Sequence, residues 1–121
     1  MKKILVIDDQ PQISRILSDV LIKSGFQVEI ASNGAMGVAK AIEIKPDLIF
    51  MDIMMPVKNG FEATREIRNI QEFQTTPIIF LTAKGQSADK EEALAAGGNE
   101  FLTKPFSPKK ILELVKTIFA T

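Results

Sequence analysis

The chain of 121 residues contains no cysteine and no histidine. These absences remove disulfides, thiol nucleophiles, zinc sites of the usual kind and imidazole acid-base catalysis. Chemistry here must therefore run on carboxylates, hydroxyls, lysine and metal. Net charge is missing too: Lys+Arg 15 cancel Asp+Glu 15, and no basic block stands out. Nucleic-acid affinity rests mainly on clustered cations against phosphates, so direct nucleic-acid binding by this chain is not expected. No apolar run approaches a membrane span, and the stretch after MKK is too short for a signal-peptide core. The expected compartment is the cytoplasm, with no membrane partner. Repeats, low-complexity segments and linkers are absent as well, and the length accommodates one domain, residues 1–121, without room for a second.

What is present is a series of apolar runs that end in polar residues. Residues 4–7 (ILVI) run into Asp8 and Asp9, residues 48–51 (LIFM) into Asp52, and residues 78–81 (IIFL) into Thr82. Unbroken runs of this length read as parallel strands covered on both faces. Residues 26–30 alternate apolar with Gln27 and Glu29, and residues 99–103 are short, so these two strands belong at edges. Helical patterns lie between. Pro11 marks a first turn, with Ile13, Ile16, Leu17, Val20 and Leu21 inward and Gly25 at the end. Ser32, Asn33 and Gly34 start a second helix with Ala35, Val38, Ala39 and Ile42 as its inward stripe, and Pro46 lies beyond it. Asn59 and Glu62 form a capping-box pattern for a third, with Ala63, Ile67 and Ile70 inward. Ser87 opens a fourth over residues 88–96, closed by Gly97 and Gly98; its thin apolar stripe makes it the least firmly packed. Ser107 and Pro108 begin the last, which turns Ile111, Leu114, Val115 and Ile118 to the sheet.

Five strand-helix units in strict alternation imply an α/β fold with right-handed crossovers. Placing the two wetter strands at the edges gives a doubly wound, flavodoxin-like five-stranded parallel sheet of order 2-1-3-4-5 with five helices. All carboxyl ends then share one rim, which gathers Asp8, Asp9, Asp52, Thr82 and Lys104. Two acids follow the first strand and one follows its neighbour, the third. Each carboxylate pair at ~4 Å and an effective dielectric of ~20 repels by roughly 4 kcal/mol. Lys104 balances one charge, and a divalent cation is the natural remainder; all-oxygen ligands favour Mg²⁺ or Mn²⁺. Such a pocket suits a phosphoryl group, with Asp52 attacking phosphorus, Lys104 and the cation neutralising its oxygens, and Thr82 donating a hydrogen bond.

On KILVIDD, DLIFMDIMMPVKNG, PIIFLTA and GGNEFLTKPF, in that order over nearly the whole chain, the sequence resembles a response-regulator receiver domain, the CheY-like family of two-component signalling. The resemblance implies Asp52 as phosphoacceptor, supplied by a phosphohistidine on a histidine kinase or a histidine phosphotransfer protein. It implies that Asp8, Asp9, Asp52 and the Met54 backbone carbonyl hold Mg²⁺, with Asp9 a more direct ligand than Asp8. It also implies that Lys104, followed by a cis bond to Pro105, contacts the phosphoryl group. Thr82 would move toward that group on activation, and Phe101 would turn inward with it as an aromatic switch. The face made by the fourth helix, fifth strand and fifth helix would change for a downstream target protein or an effector domain beyond this chain. Such a domain is a signalling phosphoacceptor that assists its own phosphorylation and dephosphorylation, and is not classed as an enzyme. The expected state is a monomer, with a phosphorylation-dependent dimer through the last helix as the alternative. Three features depart from or vary within the pattern. Phe101 lacks the phenolic hydroxyl many members carry, Gly98 stands where Ala is more common, and Met54 and Lys84 occupy variable positions that govern how long the phosphoryl group lasts.

Read singly, the same residues have plainer meanings. Asp8 and Asp9 before Pro11 suit a helix cap, Asp52 a turn before Pro56, Thr82 a strand end, Lys104 a solvated charge, and Phe101, Met51, Met54 and Met55 simple packing. Three rival functions follow. A haloacid-dehalogenase phosphatase wants a second Asp two residues after its nucleophile, where this chain has Met54. A flavodoxin wants a phosphate loop rich in Ser, Thr and Gly after the first strand, where this chain has DDQPQ. A pseudo-receiver that binds partners without phosphorylation is opposed by the complete acid set. Met1 reads as a natural start, and an end at Thr121 just after a helix fits either a freestanding protein or a receiver cut from a longer regulator.

Overall fold

Strands and helices alternate from end to end: β1 (Lys3–Ile7), α1 (Pro11–Lys23), β2 (Gln27–Ala31), α2 (Gly34–Ile44), β3 (Leu48–Asp52), α3 (Gly60–Arg68), β4 (Ile78–Ala83), α4 (Ala88–Ala96), β5 (Glu100–Lys104) and α5 (Pro108–Phe119), with a 3₁₀ turn at Gln71–Phe73 before β4. This computed structural model describes residues 1–83 and 88–120; Lys84 and Ser87 lie outside the described residues. All strand pairings are parallel, and the sheet order is β2-β1-β3-β4-β5. The fold is the doubly wound, flavodoxin-like arrangement expected from the alternation.

The unbroken apolar runs have a simple cause. Ile4, Val6, Leu48, Phe50, Ile79 and Leu81 pack with Leu17 and Leu21 of α1 and with Ile111 and Val115 of α5. Their immediate neighbours Leu5, Ile7, Ile49, Met51, Ile78 and Phe80 face the other way, onto Val38 and Ala41 of α2, Ala63 and Ile67 of α3, and Ala93 and Ala96 of α4. A strand with two dry faces needs an apolar side chain at every position, and each one buried contributes about 1.5–3 kcal/mol. Helix starts follow local chemistry. Asn33 accepts from the Met36 N–H, Asn59 and Glu62 complete the capping box, and Ser107 accepts from the Lys110 N–H. Each cap contributes about 1 kcal/mol.

Two helices present different faces from those their periodicity suggests. In α2 the residues Ala35, Ala39 and Ile42 are exposed, and Gly34, Gly37, Val38 and Ala41 are buried instead. Gly37 lies where a Cβ would collide with the Ile7 side chain, and one on Gly34 would meet the Lys58 carbonyl. The helix therefore turns its small residues to the sheet and brings its backbone close. In α1 Ile16 is 44% exposed, while Ser14 is buried and donates to the Asp8 carbonyl at 3.5 Å. In α4, among residues 91–96, only Ala93 and Ala96 are buried, and Leu94 is exposed, in keeping with its thin stripe. Arg68 at the end of α3 ties down the far end of that helix, donating to the Gly97 carbonyl at 2.8 Å and to Asn99 Oδ1 at 2.9 Å.

Candidate functional site

Parity along the strands decides which side chains meet at the rim. On β1 and β3 the even-numbered residues face α1 and α5, and on β5 Leu102 does the same. Side chains alternate along a strand, so Asp8, Asp52 and Lys104 continue that face. β1 and β3 are neighbours with Ile7 opposite Met51, which sets the next residues, Asp8 and Asp52, side by side. The registers Asp52 with Leu81 and Ala83 with Lys104 carry the lysine across β4 to the same place.

Carboxylate oxygens of Asp8, Asp9 and Asp52 lie within 4.8 Å of one another. Asp8 and Asp52 are 2% and 5% exposed, whereas Asp9 is exposed. Lys104 Nζ donates to Asp52 Oδ1 at 3.3 Å, stands 3.4 Å from Asp8 Oδ2, and donates to Gln10 Oε1 at 3.0 Å. The Lys104-Pro105 bond is cis. Asp8 is held through its backbone N–H on the Ala31 carbonyl at 3.1 Å, and its Oδ1 accepts from the Gln10 N–H at 2.9 Å.

One ammonium does not offset two buried carboxylates. The Asp52 carboxyl is pushed up to about 7, first by burial and then by repulsion from Asp8, against the pull of Lys104. Asp8 Oδ2 is buried and, beyond its ion pair with Lys104 at 3.4 Å, has no hydrogen-bond partner among the described residues. A buried oxygen that shares one ammonium with its neighbour, a second carboxylate starved of positive charge and a third at the surface make an all-oxygen set. These residues fit a hard divalent cation such as Mg²⁺ or Mn²⁺.

A cleft of about 320 Å³ opens over the cluster, lined by Asp9, Gln10, Asp52, Ile53, Met54, Leu81, Thr82 and Lys104. Thr82 is 6% exposed on its wall, and Met54 is 72% exposed at its edge. Phe101 stands apart from the cleft. It is half-buried and packs toward the α2, α3 and α4 side, on the face of β5 opposite Lys104. The rim thus gathers Asp8, Asp9, Asp52, Thr82, Lys104 and Met54, with Phe101 outside.

Two further residues shape the site. Gly60 donates its N–H to the Ile53 carbonyl at 2.9 Å, and a Cβ on it would run into the Asp52 carbonyl oxygen. Only glycine lets the start of α3 approach the end of β3 this closely. The Asn-Gly pair in the sequence signals a helix start and carries no sign of that approach. Gln10 is the other, and its signal was a glutamine at a helix N-cap, a position that favours Ser, Thr, Asp or Asn.

A family model described as the response regulator receiver domain matches residues 4–116. Protein PilH of Pseudomonas aeruginosa is 40% identical over 120 residues, which is 99% of this chain and 99% of PilH. Chemotaxis protein CheY4 of Vibrio cholerae superposes with a TM-score of 0.94 at 34% identity, over 98% of this chain and 99% of that one. The receiver domain of sensor histidine kinase PA1611 from Pseudomonas aeruginosa, solved with a magnesium ion coordinated in its active site cleft, superposes with a TM-score of 0.91 at 32% identity, over 99% of this chain and 98% of that one. Against two transcriptional regulatory proteins of Bacillus subtilis the chain spans about half their length, 47% and 48%.

Proposed function

Because the chain belongs to the response regulator receiver domain family, we propose that residues 1–121 form one receiver domain and that its Asp52 accepts a phosphoryl group from a histidine kinase or phosphotransfer protein. The observation that carries this reading is the meeting of three carboxylates and one lysine, drawn from β1, β3 and β5, at the edge of an open cleft. In the transfer an Asp52 carboxylate oxygen forms a bond to phosphorus as the phosphorus–nitrogen bond of the donor breaks. The imidazole nitrogen leaves with the electron pair and takes a proton from water. Lys104, already within hydrogen-bonding reach of Asp52, shifts its charge onto the phosphoryl oxygens. Asp8, Asp9, Asp52 and the Met54 backbone carbonyl would hold Mg²⁺, which when bound supplies Lewis-acid stabilisation of those oxygens. Thr82 offers a hydroxyl to the third phosphoryl oxygen. Attack of water on phosphorus returns the free Asp52 carboxylate and inorganic phosphate.

The signal leaves through the face made by α4, β5 and α5, toward a target protein or an effector domain. Support for a Thr82 and Phe101 switch comes from the sheet: the two strands are paired, with Phe80 opposite Phe101 and Thr82 opposite Thr103. Both residues occupy the side of the sheet that α2, α3 and α4 cover.

Incubation with acetyl phosphate and Mg²⁺, followed by intact-mass spectrometry, tests the reading. One phosphoryl group is expected on the native chain, and none on Asp52→Asn or in the presence of a chelator. A native chain that gains no mass under these conditions would leave the phosphorylation-independent pseudo-receiver as the better reading.

A further inference from the structure

We propose that Gln10 is a positioning residue for Lys104, its side-chain carbonyl holding the ammonium over Asp52 and Asp8 before phosphoryl transfer; this rests on the reading of Asp52 as phosphoacceptor. Lysine is a point charge on a long flexible stem, so a lysine that must meet a phosphoryl group gains from a fixed resting place. Among the described residues three acceptors surround Lys104 Nζ, and Gln10 Oε1 is the nearest, at 3.0 Å against 3.3 Å to Asp52 and 3.4 Å to Asp8. It lies 94 residues away in the chain and on the cleft wall.

The local structure shows what this contact displaces. Gln10 is the N-cap residue of α1, with extended backbone (φ −99°, ψ 107°), yet its side chain makes no capping hydrogen bond. The other described N-caps of α-helices, Asn33, Asn59 and Ser107, all spend their side chains on the helix they start. Gln10 spends its own on Lys104. Its backbone is pinned as well, since its N–H donates to Asp8 Oδ1 at 2.9 Å. One residue therefore grips the acid with its main chain and the lysine with its side chain. Chemistry explains the choice of amide. A carboxylate here would add a fourth negative charge and draw the ammonium away from Asp52, and a short hydroxyl would not span the distance. When Asp52 becomes esterified, the Nζ–H that faced it turns to a phosphoryl oxygen while the one on Gln10 stays in place.

The variant Gln10→Ser separates this role from a merely structural one, because serine restores the cap and removes the acceptor. The melting temperature is expected at or above that of the native chain, by up to about 3 °C. Phosphoryl uptake from acetyl phosphate with Mg²⁺ is expected to slow about threefold to tenfold, the effect of losing one positioning hydrogen bond. In a Lys104→Ala background the same change is expected to have no further effect on uptake. Uptake within about twofold of native, equal slowing in both backgrounds, or slowing accompanied by a lower melting temperature overturns the proposal. A native chain that takes up no phosphoryl group overturns the Asp52 reading and this one with it; native uptake matched by Gln10→Ser overturns this one alone.

Discussion

The ammonium of Lys104 stands 3.3 Å from a carboxylate oxygen of Asp52, across 52 residues of chain. The contact exists because β4 lies between β3 and β5 and its registers with both bring their carboxyl ends to one rim. It leaves the two buried carboxylates one positive charge short, since Asp8 shares the same lysine at 3.4 Å. The fit to a divalent cation follows from that deficit, and the raised pKa of Asp52 follows from burial first and from the deficit second.

The first expected consequence is an unusual pH dependence in the metal-free chain. Asp52 titrates at about 7 when folded against 3.8 for an ordinary Asp. Between these values the folded chain holds a proton that the unfolded chain has released. Stability contributed by this group is therefore present below about pH 4 and is lost as pH rises to about 7, by roughly 2–4 kcal/mol in total. Denaturant unfolding in chelator should show Asp52→Asn gaining on the native chain over this window and running parallel to it above. A constant difference between the two would contradict the raised pKa of Asp52.

Mg²⁺ should reverse that trend, because the proposed site would hold the ion on ionised acids that only the folded chain brings together. At a concentration about 100-fold above its dissociation constant the ion should add about 2.7 kcal/mol. Lys104→Ala is expected to keep or strengthen this response, since removing the ammonium leaves more negative charge for the ion, while phosphoryl uptake falls. Melting curves across a Mg²⁺ titration decide it; a variant whose melting no longer responds to Mg²⁺ would show that Lys104 supports the cation site.

Gly60→Ala probes the close approach of α3 to β3. The added methyl meets the Asp52 carbonyl oxygen, so the loop must shift. A loss of about 1–3 kcal/mol is expected, together with a weaker Mg²⁺ response because the displaced backbone carries Asp52. Chemical denaturation with and without Mg²⁺ measures both, and full native stability would mean that the loop yields freely.

Thr64 offers a gain instead. Its hydroxyl is fully buried in α3 and has no hydrogen-bond partner among the described residues. Thr64→Val keeps the shape and removes the stranded polar group, and about 1 kcal/mol of stabilisation is expected from urea unfolding. Destabilisation would reveal a partner for that hydroxyl.

The sequence by itself determined the element order, the edge strands, the capped helix starts and the residues at the rim. Each of these is written in one dimension. A strand buried on both faces must be apolar throughout, as residues 48–51 are, and a helix start carries its own cap, as Asn59 and Glu62 do. Only the tertiary structure decided which face α2 buries, why Gly60 must be glycine, and where Gln10 sends its amide. Periodicity registers that a side chain is covered and is silent about what covers it. The closeness of Gly37 to Ile7, of Gly60 to Asp52 and of Gln10 to Lys104 is a property of two distant segments at once. The pKa of Asp52 belongs to the same class, because burial and neighbouring charge act through distances that no single stretch of chain contains.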